Sequence, residues 1–479
     1  MAWNLPLLNV HFSNKYIFRG VTFMIDTGSH SVTRDACAMA DDFAQGRTDP
    51  VRVLDQALQQ ATQVDHVFIS MSAERARREA EASAARWKHG QPLSPFDGVP
   101  IAWKDLFDVA GCVTTAGAAL RHTLSPALLD APSVGLLARA GMISLGKTNL
   151  SEFAYSGLGL NPHFGTPVNP LSDAVPRIPG GSSSGSAVAV ASGIVPIAMG
   201  TDTAGSIRIP AAFNGLVGFR STSRRYSRDG VFPLALTLDS VGPLTRSVRD
   251  ALVIDDLLCA RSKPTSLLPR SLAGQRFLVD QAVLEDERVA PAVRENLLRA
   301  VEALRAGGAL VELPPCQAFQ ATLQLIQHHG WLGAAEAFAL HQPLLDSDAA
   351  NQLDPRVRKR LEAARSMPAS LLVNLYSARE TLQEQLTLEL DGALLLTPSV
   401  AHVAPPLAPL LADDELFIQT NLATLRLTMP GSLLNMPGVS LPSGVDAAGL
   451  PTGLLISAPA GEDARLLRAA LAVESLLKS

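Results

Sequence analysis

Gly180-Gly181-Ser182-Ser183-Ser184-Gly185-Ser186-Ala187 and Gly200-Thr201-Asp202-Thr203-Ala204-Gly205-Ser206-Ile207-Arg208 bracket an apolar run over 188–199. The first segment is nearly all Gly and Ser. It offers backbone N–H groups and hydroxyls without bulk. The second closes a predicted strand and turns through Asp-Thr-Ala-Gly-Ser, which can present a hydroxyl nucleophile beside free backbone donors. Upstream, Gly98-Val99-Pro100-Ile101-Ala102-Trp103-Lys104-Asp105 sets a single Lys at the end of another apolar strand-like run. Each piece alone is ambiguous. A Gly/Ser loop is commonly a linker or a phosphate cradle, and a lone Lys after a strand is commonly solvated. Nucleotide binding is disfavoured, because the loop has neither a Lys-Ser/Thr ending nor G-x-G-x-x-G spacing.

Outward from this stretch the chain reads as α/β. Residues 133–140 form a predicted helix stopped by Gly141, and 142–145 a buried strand. Residues 276–279, 290–305 and 309–313 repeat the strand–helix–strand order, with Gly307-Gly308 ending the helix. This is the grammar of a parallel sheet. Earlier, 31–44, 48–63 and 72–87 read as helices, the second with Thr48 as N-cap and Pro50 in its first turn. Residues 320–377 read as helical and 464–477 as a closing helix. No linker, repeat or low-complexity tail divides the chain, so one large domain is expected despite 479 residues.

Composition excludes several classes. A net charge of −5 offers no broad basic field to nucleic acid. Cys37, Cys112, Cys259 and Cys316 are scattered and form no C-x-x-C pair, so they read as reduced thiols in a cytoplasmic protein. No H-E-x-x-H or other His/Asp cluster suggests a metal, and no cofactor is expected. The run 188–199 is broken by Gly193 and Pro196 and is too short to span a membrane. Residues 1–30 are expected to be a poorly ordered or accessory leader, with Met24 nearer the natural start. They lack the layout of a signal peptide.

Order, spacing and flanks of Lys104, Ser182 and Ser206 together resemble the amidase signature family of serine hydrolases. The resemblance runs from about residue 48 to the C-terminus, with departures at Ser184 and Ala204, where Gly is common. It implies one domain over 31–479, a central mixed, mostly parallel β-sheet covered by helices on both faces, a catalytic core at about 98–250 and a variable substrate-pocket region at about 315–430. It also implies a Ser–cis-Ser–Lys triad. Ser206 is then the nucleophile, Ser182 the bridging serine after a cis Gly181–Ser182 bond, and Lys104 the base. The oxyanion hole falls on the backbone amides of Thr203, Ala204, Gly205 and Ser206. Gly181 eases the cis bond, Ser183 and Ser184 hydrogen-bond the loop, and Asp202 and Arg208 hold the turn.

The chemistry suits these residues. Amide hydrolysis needs an activated nucleophile, a stabilised oxyanion and a proton for the leaving nitrogen. Lys104 is a base only when neutral. Its ordinary pKa of about 10.4 must therefore fall toward roughly 7–8, which burial beside Ile101, Ala102 and Trp103 supplies. Asp105 would oppose that shift, so it is expected to point elsewhere. His163, in Asn161-Pro162-His163-Phe164-Gly165, is read as a structural hydrogen-bonding residue, since a Lys triad needs no histidine.

The function expected is a free-standing amidohydrolase taking a small-molecule carboxylic amide, or an ester or carbamate, to the acid. The first alternative is the glutamine-hydrolysing subunit of a tRNA-dependent amidotransferase. Against it, Arg220-Ser221-Thr222-Ser223-Arg224-Arg225 departs from the family's Lys-Pro-Thr-x-Gly-type segment. The second alternative is a non-catalytic scaffold, against which stands retention of all three triad positions. The resemblance adds homodimerisation, common in that family, as the expectation for partners.

Overall fold

The computed structural model describes residues 34–172 and 174–478. The leader expected over 1–30 lies outside them. Eleven strands form one sheet: β1 (Phe68–Met71), β2 (Pro100–Lys104), β3 (Ile143–Thr148), β4 (Ile197–Asp202), β5 (Val217–Arg220), β6 (Ser240–Thr245), β7 (Arg276–Val279), β8 (Leu310–Glu312), β9 (Leu394–Pro398), β10 (Gly438–Val445) and β11 (Pro451–Ser457). Their order is β1-β3-β2-β4-β6-β5-β10-β11-β9-β7-β8. A single sheet running through both halves of the chain makes one α/β domain.

The sheet is mixed, but not mostly parallel as expected. Parallel pairing is confined to β3-β2-β4 on one side and β9-β7-β8 on the other. The middle, from β4 through β6, β5, β10 and β11 to β9, is antiparallel throughout. The reason lies in the connections. No crossover helix separates β5 from β6 or β10 from β11, and a returning strand without one pairs antiparallel.

Alternation along the strands sets the two faces. Ile101 and Trp103 of β2 and Ile197 and Met199 of β4 enter one core, with helices Val248–Leu258, Pro291–Ala306 and Asp463–Leu477. Ala102 and Ala198 enter another, beneath helices Pro50–Ala61 and Ser184–Ala191. The cap of helix Pro50–Ala61 is Asp49, not Thr48: its carboxylate accepts the amides of Val51 and Arg52. Asp there receives both amides with one side chain and complements the helix dipole. The strand β1 was not foreseen. Its four residues, Phe-Ile-Ser-Met, are too few to show alternation.

Candidate active site

Lys104 ends β2, and Asp202 ends its parallel neighbour β4. Open α/β sheets gather ligands beyond the carboxyl ends of such strands. The Gly/Ser segment and the turn after β4 meet there. Gly181–Ser182 is a cis peptide bond, as the resemblance implies. The Gly181 amide donates to the Gly157 carbonyl at 2.8 Å, and the Ser151 amide donates to the Ser182 carbonyl at 3.2 Å. The Ser183 amide reaches the Ser206 carbonyl at 3.3 Å, tying the two serine segments together through backbone.

Lys104 is fully buried. Its Nζ lies 2.7 Å from Ser182 Oγ and 2.8 Å from Thr201 Oγ1. Burial pushes its pKa down to about 7, against the opposing fields of Asp202 and Asp239. The amine is therefore neutral in a large fraction of molecules near neutral pH. Ser206 is 4% exposed. Among the described residues no hydrogen bond joins its Oγ to Ser182 Oγ.

Asp202 organises the turn. Oδ1 accepts the Gly205 amide at 2.8 Å, and Oδ2 accepts the Ile207 amide at 3.2 Å. Arg208 grips both oxygens at 2.9 Å and reaches Ser432 Oγ at 2.7 Å. Arg220 adds bonds to the Asp202 carbonyl and carboxylate. Burial would raise this carboxyl's pKa, but Arg208 and Arg220 more than offset it and hold it well below the usual range. Asp202 and Arg208 thus hold the turn. Gly205 is a correction to the expected oxyanion set, since its amide is committed to Asp202. The amides of Thr203, Ala204 and Ser206 have no acceptor among the described residues.

Gly205 itself is required by the backbone. It sits at φ +139°, and a Cβ there would collide with the Thr428 side chain. The Thr428 hydroxyl donates to the Ala204 carbonyl at 2.6 Å. The Ala204 methyl leans on an apolar cluster that includes Ile209, Phe213, Leu425 and Met429, with Ile326 and Trp331 packed against it. The apolar packing around Ala204 is thus drawn partly from the region expected to vary. A separate open groove of about 570 Å³ lies between helices Gln317–His329 and Ala369–Leu390, and no triad residue lines it.

The remaining expectations divide clearly. Asp105 does point away from Lys104, into Lys147 and Thr115. His163 Nε2 lies 3.0 Å from Glu152, whose other oxygen accepts the Asp354 amide at 2.7 Å. The close Glu152 carboxylate raises the His163 pKa. Ser184 Oγ reaches only the Asn149 carbonyl, at 3.5 Å. Thr201, Arg220, Asp239 and Thr428 were missed as site residues. Thr201 stood inside the decisive stretch, where its hydroxyl beside Asp202 was the available signal. Thr428 is brought in by packing across 224 residues, which no local pattern encodes.

Known proteins resemble this chain over most of its length. The family model described as Amidase matches residues 51–467. The 2-amino-5-chloromuconic acid deaminase of Comamonas testosteroni is 35% identical, over 84% of this chain and 87% of that protein. The glutamyl-tRNA(Gln) amidotransferase A-subunit of Prochlorococcus marinus is 31% identical, over 90% of this chain and 94% of its own. A crystal structure described as an amidase superposes with a TM-score of 0.80 and 34% identity, covering 92% of this chain and 99% of the other.

Proposed function

The chain belongs to the amidase signature family, and on that premise we propose that it hydrolyses a small-molecule carboxylic amide through an acyl-enzyme on Ser206. The observation that carries this reading is the buried Lys104 amine, 2.7 Å from Ser182 Oγ and with its pKa near 7. Ser206 Oγ attacks the carbonyl carbon, and the carbonyl electron pair moves onto oxygen. The Ser206 proton passes to Ser182, whose own proton passes to Lys104. The developing oxyanion meets the amides of Thr203, Ala204 and Ser206. Collapse breaks the C–N bond, and the departing nitrogen takes the proton back along the same path. Water then attacks the ester, loses its proton to the relay and releases the acid and Ser206.

The amidotransferase reading is kept because relatives of that description align over nearly their full length. A non-catalytic scaffold accounts poorly for an amine held dry against a hydroxyl. No helix among the described residues is long and apolar enough to cross a membrane. The four cysteines are unpaired, which supports the cytoplasmic setting. Homodimerisation is tested by light scattering of the purified protein.

The deciding experiment follows ammonia or amine release by the protein alone from aliphatic, aromatic and amino-acid amides, L-glutamine included, with Ser206→Ala alongside. Turnover of simple amides that vanishes in Ser206→Ala is the expected result. Turnover confined to glutamine transfers the assignment to the amidotransferase. Equal turnover by Ser206→Ala overturns the mechanism.

A further inference from the structure

In the β4–β6 register, Asp202 stands opposite Ser240. One residue beyond the pairing, Thr203 and Asp239 meet. The Thr203 hydroxyl donates to Asp239 Oδ1 at 2.6 Å, while Oδ2 accepts the amides of Leu234 at 2.9 Å and Ala235 at 3.1 Å. Three donors converge on this buried side chain, so both of its oxygens serve as acceptors; burial raises its pKa, and these bonds and Arg228 draw it back. Its backbone is fixed as well. The Asp239 amide donates to the Ala235 carbonyl, and the Asp239 carbonyl accepts from Ser223 Oγ at 3.0 Å and Arg228 at 3.1 Å.

The loop that carries Asp239 is gripped from the far side. Glu336 accepts the Thr237 amide at 2.8 Å and also its hydroxyl, and Arg379 donates to the Thr237 carbonyl at 3.2 Å and the Leu433 carbonyl at 2.7 Å. The nucleophile turn is thus anchored at each residue by a different device: Gly205 by Asp202, the Ala204 carbonyl by Thr428, and Thr203 by Asp239. Among the described residues, Asp239 is the one side-chain anchor that Thr203 has.

We infer that Asp239 is a positioning residue for amide hydrolysis, orienting the unpartnered Thr203 amide toward the carbonyl oxygen of the bound substrate. The inference rests on the proposed reading of Ser206 as nucleophile. It joins the helical cover, through Glu336 and Arg379, to the oxyanion donors by one short polar chain. The charged groups around Asp239 are Arg228 and Arg220, with Asp202 on the neighbouring β4 and Lys104 on β2 beyond it. Because the Asp239 charge favours protonated Lys104, removing it makes Lys104 easier to deprotonate.

The test uses the full-length protein and its best amide from the panel, comparing Asp239→Asn, Thr203→Val, Thr203→Ser and the Asp239→Asn/Thr203→Val double, each checked for native melting. Asp239→Asn and Thr203→Val should each lower kcat about 10- to 100-fold, with KM changed less than about threefold. Thr203→Ser, which keeps the hydroxyl, should retain most of the turnover. The double should be no worse than the worse single by more than about threefold, since both act on the one Thr203–Asp239 contact. The acid limb of Asp239→Asn should move to lower pH. Wild-type kcat in Asp239→Asn, or multiplying losses in the double, overturns the inference while Ser206→Ala remains inactive. Should Asp239→Asn not fold, the Thr203 pair decides: equal kcat in the Val and Ser variants overturns it. Full activity in Ser206→Ala would instead remove the premise.

Discussion

The Asp105 carboxylate lies 2.5 Å from the ammonium of Lys147 and turns its back on its chain neighbour Lys104. Thr115 completes its shell through amide and hydroxyl. Burial raises the Asp105 pKa, and Lys147 pulls it back down. Two buried lysines at the ends of adjacent strands are thereby sorted. Lys147 has a carboxylate. Lys104 is given only the hydroxyls of Ser182 and Thr201, so desolvation governs its proton.

The first consequence is a pH profile. With the Lys104 pKa near 7, kcat/KM should be half-maximal near pH 7 and fall about tenfold per unit below it, as the amine protonates. A stopped assay from pH 5 to 9 reads this directly. A flat profile down to pH 5 would remove Lys104 as the base.

Stability should carry the same signature. Lys104 is neutral when folded between about pH 7 and its ordinary pKa, where the unfolded chain binds the proton. The unfolded state then binds more protons, so wild-type stability rises with pH across that window. Lys104→Met should abolish turnover, yet be more stable at pH 7, by up to a few kcal/mol, since each tenfold weakening of proton binding is worth roughly 1.4 kcal/mol. The gap should close toward pH 10.5. Thermal melts of both proteins at pH 7 and 10 check the sign.

Breaking the other pair should do the reverse. Asp105→Asn leaves the fully buried Lys147 amine without its carboxylate, and breaking such a buried pair typically costs about 3–5 kcal/mol. Urea unfolding should show that loss, and Asp105→Leu/Lys147→Met should recover much of it. Equal stability of Asp105→Asn and wild type would show that the pair contributes nothing.

Gly205→Ala should fail for steric reasons. The added methyl meets the Thr428 side chain and Ile209, at a φ that other residues rarely adopt. Displacing the turn by about 1 Å is expected to lower kcat roughly 100-fold. Steady-state kinetics with a circular-dichroism control separates this from unfolding.

The parts of the candidate site were legible in the sequence because they are local. Gly181-Ser182 and Asp202 to Ser206 are contiguous segments whose composition declares small side chains and free amides, and Lys104 closes a short apolar run. The two βαβ blocks were legible for the same reason, through periodicity and glycine stops. The antiparallel middle of the sheet was not, because β5 and β10 lie far apart in sequence and pair by tertiary packing. Nor were the residues that support the turn from a distance. Thr428 and Ser432 carry ordinary side chains in an unremarked helical stretch, and only the fold brings them against the turn that carries Ser206. The commitment of the Gly205 amide escaped notice because sequence shows which amides exist, not which are already spoken for.

Those distant supports also set a timetable for synthesis. Ser206 leaves the ribosome long before Thr428 and Ser432, which clamp its turn through the Ala204 carbonyl and Arg208. At about 5–20 residues per second the interval is on the order of ten to forty seconds. During that time the nascent chain holds all three triad residues without the parts that square them to one another. On the proposed reading, hydrolytic competence is therefore expected only late in translation.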